Sequence, residues 1–488
     1  MNEDIKRKMR SIPGMDILLE KEWTARWLEK LGRDTVKQIF SAELDRIRRE
    51  LLRSVAGLSA AGLDAAELDK NADFSPEALR ASLEALLEAR ARRRIRAVLN
   101  ATGVIIHTNL GRSVLAEEAI EAVREVAANY SDLEYNLDDG SRGRRDANAE
   151  AEICALTGAE AALVVNNNAG AVFLCLSALA RGKEVIVSRG ELVEIGGSFR
   201  IPEIMEFSGA ALVEAGTTNR THLKDYDGAI TDKTSMLLKV HPSNFRIEGF
   251  TTKPERRALA RLAHERGLVF AEDAGSGLLV KPTDSGMWEG ETDVRTCLEE
   301  GVDLVTFSGD KILGGPQIGV AAGKKILVDR MRSHPMMRTL RVDKMTLVAF
   351  EATMRLYSKK DYDAIPTLAM LRRANESMKT QASRLAGKLR KATAQGSVPK
   401  FSVVSVSDAV GGGSCPAVPL SGWAVAVTDH PLGGAGKLQA LLRSREIPII
   451  CGARGDALLI HVRTIRHCDE AEIVRAFADL SDEGVRDK

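Results

Sequence analysis

A chain of 488 residues with 44% hydrophobic content is long enough to bury large cores and to form two or three domains. Its 69 Lys plus Arg balance 68 Asp plus Glu, which excludes a whole-molecule field steering it to DNA or RNA and leaves only local charge for such binding. Six scattered cysteines without a C-x-x-C pair, a charged N-terminal stretch and no apolar run of membrane length give no support to a disulfide scaffold, export or a membrane span. They point to reduced thiols in the cytoplasm.

Leu19, Trp23, Trp27 and Leu31 recur at four-residue spacing, and Val36, Ile39, Phe40, Leu44, Ile47 and Leu51 continue at three and four. The spacing predicts two amphipathic helices, with Gly32 stopping the first and Asp34 capping the second. Residues 56–73 read as a looser connection, after which Ser75 caps a helix with Pro76 in its first turn. That helix runs into Arg90, Arg92, Arg93, Arg94 and Arg96, which suit either phosphate contacts or a solvated face. With 20 basic and 17 acidic residues in 1–98, the region is only mildly basic. Residues 1–95 therefore form a helical domain, with both tryptophans in its core.

From 96 to about 360, short apolar runs alternate with helical stretches. The runs at 162–165, 184–187, 211–213, 236–240, 268–271 and 304–307 read as buried strands of a mostly parallel α/β sheet. In such sheets ligands sit beyond the carboxyl ends of the strands, so the residues after each run are the ones to inspect. Asn166-Asn167-Asn168-Ala169-Gly170 opens a helix whose amides suit a phosphate, with Asn168, Ala169 and Gly170 as candidates. Asp273, after 268–271, suits a protonated pyridine nitrogen or the cap of a loop. Asn244, in His241-Pro242-Ser243-Asn244, suits a phenolic oxygen or its own turn. Lys311 follows 304–307 among glycines, in the manner of a Schiff-base lysine for pyridoxal 5'-phosphate, with Ser308 as a further phosphate donor. Any one of these signals is weak; their order of phosphate turn, aspartate and lysine makes them a set.

From 361 to 488 a helix through Leu368 and Leu371 precedes apolar runs at 401–404, 423–427, 447–450 and 457–462, which suggests a small C-terminal α/β domain. His461 and His467 lack companions for a metal site.

Longer motifs carry a resemblance. Asn109-Leu110-Gly111-Arg112, the run from Glu191 to Pro202, Gly216-Thr217-Thr218-Asn219-Arg220-Thr221, Ser308 to Gln317, Leu340-Arg341-Val342-Asp343-Lys344 and Val410-Gly411-Gly412-Gly413-Ser414 resemble the bacterial L-seryl-tRNA(Sec) selenium transferase family, also called selenocysteine synthases. The similarity spans nearly the whole chain. Departures fall at Arg144 and Asn148, where the family has serine and histidine, and at Pro242 and Ile318.

The resemblance implies a fold-type I pyridoxal phosphate transferase whose Lys311 holds the cofactor as an aldimine. It implies conversion of seryl-tRNA(Sec) to selenocysteinyl-tRNA(Sec) by β-elimination of water to an aminoacrylyl-tRNA and addition of selenium from selenophosphate. Asp310 is then a catalytic acid or base, and Arg112, Arg338 and Arg341 the anion-binding set. Without the resemblance, Arg338 and Arg341 read as helix-surface charges. It also implies tRNA recognition by the N-terminal domain and a homodecamer. The alternative reading is a related lyase acting on a free small amino acid.

Overall fold

The computed structural model describes residues 12–61, 75–92, 95–195, 199–242, 244–245, 247–282, 288, 291–393 and 399–486. They fall into two compact units, Met1–Ala97 and Val98–Lys488.

The first unit contains α1 (Met15–Leu19), α2 (Glu22–Leu31), α3 (Arg33–Ala61) and α4 (Pro76–Ala91). Gly32, at φ 78°, ends α2 as its position predicts. Asp34 is not the cap of α3. The carbonyl of Gly32 accepts from the Val36 N–H, which makes Gly32 the cap and leaves Asp34 in the first turn, where a carboxylate faces the positive helix end. Ser75 caps α4 as expected, its Oγ accepting from the Ala78 N–H at 3.1 Å. The connection expected from residue 56 is helical to Ala61, consistent with its alanine content; residues 62–74, and Arg93 and Arg94, lie outside the described residues. Leu18, Trp27, Phe40, Leu44, Leu83 and Leu87 close this unit's own core.

The second unit carries the strands β1 (Leu99–Ala101), β2 (Val104–Ile106), β3 (Ala161–Val165), β4 (Glu184–Ser188), β5 (Glu194–Ile195), β6 (Phe199–Arg200), β7 (Ala211–Ala215) and β8 (Thr234–Val240). After them come β9 (Val269–Gly275), β10 (Leu304–Ser308), β11 (Gly319–Gly323), β12 (Lys400–Gly411), β13 (Ser414–Thr428), β14 (Ile449–Arg454) and β15 (Ala457–His461). Seven form one sheet in the order β3-β11-β10-β9-β8-β4-β7. Its pairs are parallel except where β11 runs antiparallel to both β3 and β10. Apolar clusters cover both faces, so the strands read as continuous hydrophobic runs rather than alternating ones.

A six-stranded sheet, β1-β14-β15-β13-β12-β2, is packed by the helices Asn375–Ala392 and Glu470–Arg486. Residues 99–106 supply both of its terminal strands, so the C-terminal region completes its sheet with chain from the start of the large region. The long β12–β13 hairpin turns at Gly411, Gly412 and Gly413, all at positive φ, with Gly411 beside Ile106 of β2.

Candidate active site

The ends of β3, β9 and β10 converge because the parallel sheet brings their carboxyl ends to one edge. Lys311 stands three residues past β10 and is 6% exposed. Burial pulls its pKa below the ordinary lysine value; the Asp273 carboxylate works against this, and the Arg112 guanidinium reinforces it. The turn that carries Lys311 is fixed from several sides. The Ile312 N–H donates to the Ser276 carbonyl at 3.1 Å and the Gly309 N–H to that of Ile318 at 2.8 Å. Ser113 Oγ donates to the carbonyls of Asp310 at 2.9 Å and Lys311 at 2.7 Å. Gly277, at φ +70°, passes so near the strand end that a Cβ there would stand 2.1 Å from the Ser308 carbonyl oxygen. Ser308 itself is buried.

Asp273, on β9, is buried, and its Oδ1 accepts from Asn168 Nδ2 at 2.8 Å and from the Gly275 N–H at 3.1 Å. Burial pushes its carboxyl above the usual range, opposed by the Asn168 bond, Lys311, the Gly275 amide and His241. After β3, Asn167 caps the helix Asn168–Leu179 by accepting the Gly170 N–H at 2.8 Å. The cap therefore occupies Gly170's amide, leaving those of Asn168 and Ala169 at the head of the helix for a phosphate. A Cβ on Gly319 of β11 would stand 2.1 Å from the Asn167 carbonyl oxygen, so the strand can lie this close to the phosphate turn only as glycine. Asn168 Oδ1 is buried with no partner among the described residues. A buried amine, a buried carboxylate, the two leading helix amides and this orphaned acceptor oxygen make a set of hydrogen-bonding groups that fits pyridoxal phosphate.

Arg112 takes φ +64°, which costs a residue with a side chain about 1–2 kcal/mol, and its guanidinium meets Asp310 Oδ2 at 2.7 Å. The Arg338–Arg341 segment is tied to the phosphate turn, where the Asn166 N–H donates to the Leu340 carbonyl at 3.1 Å. Arg338 is exposed, and Arg341 lies 3.4 Å from Glu134 Oε1. Partial burial and the neighbouring Arg145 and Arg338 hold Arg341 below the ordinary arginine value. Arg341 also lines a recess of about 380 Å³ with Arg142, Arg145, Arg332, Glu134 and Asp146. The departing segment forms part of this wall: Arg144 pairs with Glu150 and Asp146, while Arg145 forks onto Glu134 and donates to the Val342 carbonyl at 2.7 Å.

Thus direct contacts join Asp273 to Asn168, and Arg112 to Asp310. Asn244 is elsewhere engaged: it is exposed, its Nδ2 donates to the Glu194 carbonyl at 2.7 Å, and no contact links it to Lys311, Asp273 or Asn168 among the described residues. Two residues around the site had no functional reading in the sequence, His241 and Glu291, whose Nε2 and Oε1 lie 3.2 Å apart. Nothing in a stretch 50 residues from the β8 motif marks Glu291 as its partner.

Known proteins match this architecture. The family model described as "L-seryl-tRNA selenium transferase" matches residues 98–466, and that described as "Selenocysteine synthase N terminal" matches residues 9–48. An L-seryl-tRNA(Sec) selenium transferase of Aquifex aeolicus is 47% identical over 388 residues, 79% of this chain and 84% of the relative. One from Clostridium botulinum is 44% identical over 98% of this chain and 99% of the relative, and one from Hyphomonas neptunium 43% over 97% and 99%. Among solved structures, a D-glucosaminate-6-phosphate ammonia-lyase superposes with a TM-score of 0.54 at 19% identity, over 80% of this chain and 97% of that one, a likeness of fold. The second unit has the fold-type I architecture that the resemblance implies, and the chain belongs to the L-seryl-tRNA selenium transferase family.

Proposed function

We propose that this chain converts L-seryl-tRNA(Sec) to L-selenocysteinyl-tRNA(Sec), with pyridoxal phosphate held at Lys311 and selenophosphate as the selenium donor. The observation that carries the reading is the contact set Asn168–Asp273 beside buried Lys311, inside a chain that shares 44% identity with a selenium transferase over 98% of its length. When bound, the cofactor supplies an electron sink for negative charge at the seryl α-carbon. Asp273 then holds the ring nitrogen, and the Asn168 and Ala169 amides with Ser308 hold the phosphate.

Lys311, whose ammonium burial makes easier to deprotonate, takes and returns the α-carbon proton. Asp310, bound to Arg112, acts as the acid or base at the β-hydroxyl, relaying to it the proton that Lys311 takes from the α-carbon so that the hydroxyl leaves as water. Selenium adds to the β-carbon, and water cleaves the selenium–phosphorus bond to release phosphate. Arg112, Arg338 and Arg341 bind the selenophosphate oxygens and favour that departure. Residues 1–95 recognise the tRNA, residues 96–360 hold the cofactor, and residues 361–488 close the site, in a cytoplasmic homo-oligomer of the decameric kind that the resemblance implies.

The test is conversion of seryl-tRNA(Sec) with added selenophosphate. Turnover is expected, absent in Lys311→Ala together with the visible cofactor band, and reduced about 10²-fold in Arg338→Ala. A protein that binds the cofactor, ignores seryl-tRNA(Sec) and deaminates a free amino acid overturns the reading.

A further inference from the structure

Glu291 has no part in the chemistry above, yet it is 6% exposed and three separate segments converge on it. Its Oε1 accepts from the Cys415 N–H at 2.9 Å and faces His241 Nε2 at 3.2 Å, while its Oε2 accepts from Ser276 Oγ at 3.1 Å. Ser276 lies just past β9, immediately beyond the strand that carries Asp273. His241 lies just past β8, and its backbone N–H donates to the Asp273 carbonyl at 2.9 Å. Cys415 belongs to the glycine hairpin of the C-terminal region, at φ +47°, a conformation that a residue with a side chain keeps only when something holds it. The same hairpin runs beside β2, which leads into the Arg112 motif.

The carboxylate form is the one this environment favours. Burial alone would raise the Glu291 pKa, but the bonds from His241, the Cys415 amide and Ser276 outweigh it and leave the group below the usual range. A carboxylate only accepts, so the imidazole nitrogen facing it carries a hydrogen. The charges around the pocket are coupled: His241 opposes the burial that drives Asp273 toward its neutral form, beside Asn168 and Lys311, and Glu291 joins Asp273 and Asp310 in supporting positive charge on Lys311 against Arg112.

We propose that Glu291 is a positioning residue for the cofactor pocket, holding His241 next to Asp273 and fastening the glycine hairpin of the C-terminal region at the same point. This rests on the reading of Lys311 and Asp273 as the cofactor's partners. Glu291→Gln separates charge from shape, because the amide oxygen still accepts from Cys415 and His241 and the amide nitrogen donates to Ser276 Oγ; Glu291→Ala removes both.

The experiment compares the purified holoenzyme with E291Q and E291A by pH titration of the cofactor's visible band, by steady-state kinetics and by thermal melting. In E291Q the band's midpoint is expected to move to lower pH by about one unit, since positive charge at Lys311 loses a supporting carboxylate. Its kcat is expected to fall about tenfold with KM for seryl-tRNA(Sec) nearly unchanged and the melting temperature close to native. His241→Asn should reproduce the shift, and the double variant should add little to it. An E291Q that titrates and turns over like the parent, with only E291A losing thermal stability, reduces Glu291 to a structural tether and overturns the proposal. A parent protein without the band overturns the Lys311 assignment itself, and this role with it.

Discussion

Lys311, Asp273 and Asn168 were legible in the sequence because each follows an apolar run, and a parallel sheet brings the ends of such runs together. The side-chain amide of Asn168 was less legible. The motif marks it for a phosphate, whereas the fold turns its Nδ2 onto Asp273 and gives Gly170's amide to Asn167. Asn244 shows the converse, since a polar residue after a strand is also free to bond the nearest loop, here the Glu194 carbonyl. The shifted lysine gives a pH prediction. Burial lowers the Lys311 pKa below 10.5, so the unfolded chain binds more protons than the folded one between the two values, and stability rises with pH across that window. The neutral amine needed for cofactor attachment is likewise present at lower pH than in an exposed lysine. Stopped-flow loading of the cofactor-free protein should show a rate that climbs with pH and reaches half its plateau below 10.5. Asp273→Asn, which removes the main charge holding the lysine pKa up, should move that half-point lower still.

At the scale of elements, the six apolar runs of the large sheet were readable, but β11 was not. Its sequence, Gly319-Val320-Ala321-Ala322-Gly323, has one branched residue among four small ones and gives no strand periodicity. Smallness is what the position demands: β11 lies antiparallel between β3 and β10 while pressing on the phosphate turn at one end and on Asp303 at the other. At Gly319 a methyl group would meet the Asn167 carbonyl oxygen at 2.1 Å and the Asn168 nitrogen at 2.6 Å, backbone atoms that cannot swing aside. Gly319→Ala is therefore expected to destabilise the protein by about 1–3 kcal/mol. Because the displaced atoms head the helix Asn168–Leu179, it should also weaken cofactor affinity by more than that loss of stability explains. Urea unfolding of the cofactor-free protein and fluorescence titration with pyridoxal phosphate measure the two effects separately. Equal cofactor affinity in the two proteins would show that β11 does not shape the phosphate turn.

For the whole molecule, the sequence suggested three regions, and the division near residue 96 coincides with a change from helical periodicity to buried strands. The division near 360 was harder to read, because the six-stranded sheet takes its terminal strands from residues 99–106, and pairing between segments more than 300 residues apart leaves no local periodicity to find. Leu99 pairs with Ile449 and Val104 with Ala409, so three-residue strands at the front of the second unit finish a sheet built at its back. This makes the point of truncation decisive. Among the described residues, the first unit's apolar core draws on residues 12–91, and none of its members belongs to the cores of the second. A chain beginning at Val98 keeps β1, β2, Arg112 and Lys311. It should fold, bind pyridoxal phosphate with the parent's absorbance and lose turnover of seryl-tRNA(Sec), since the proposed tRNA-recognising region is gone. A chain beginning at Thr108 keeps every candidate site residue and lacks both terminal strands. It should expose the backbone edges of β14 and β12, aggregate or melt well below the longer fragment, and fail to hold the hairpin at Gly411 against Ile106. Circular dichroism melting and cofactor absorbance on the two fragments distinguish these outcomes, and equal stability of the two would show that β1 and β2 are dispensable to the sheet they complete.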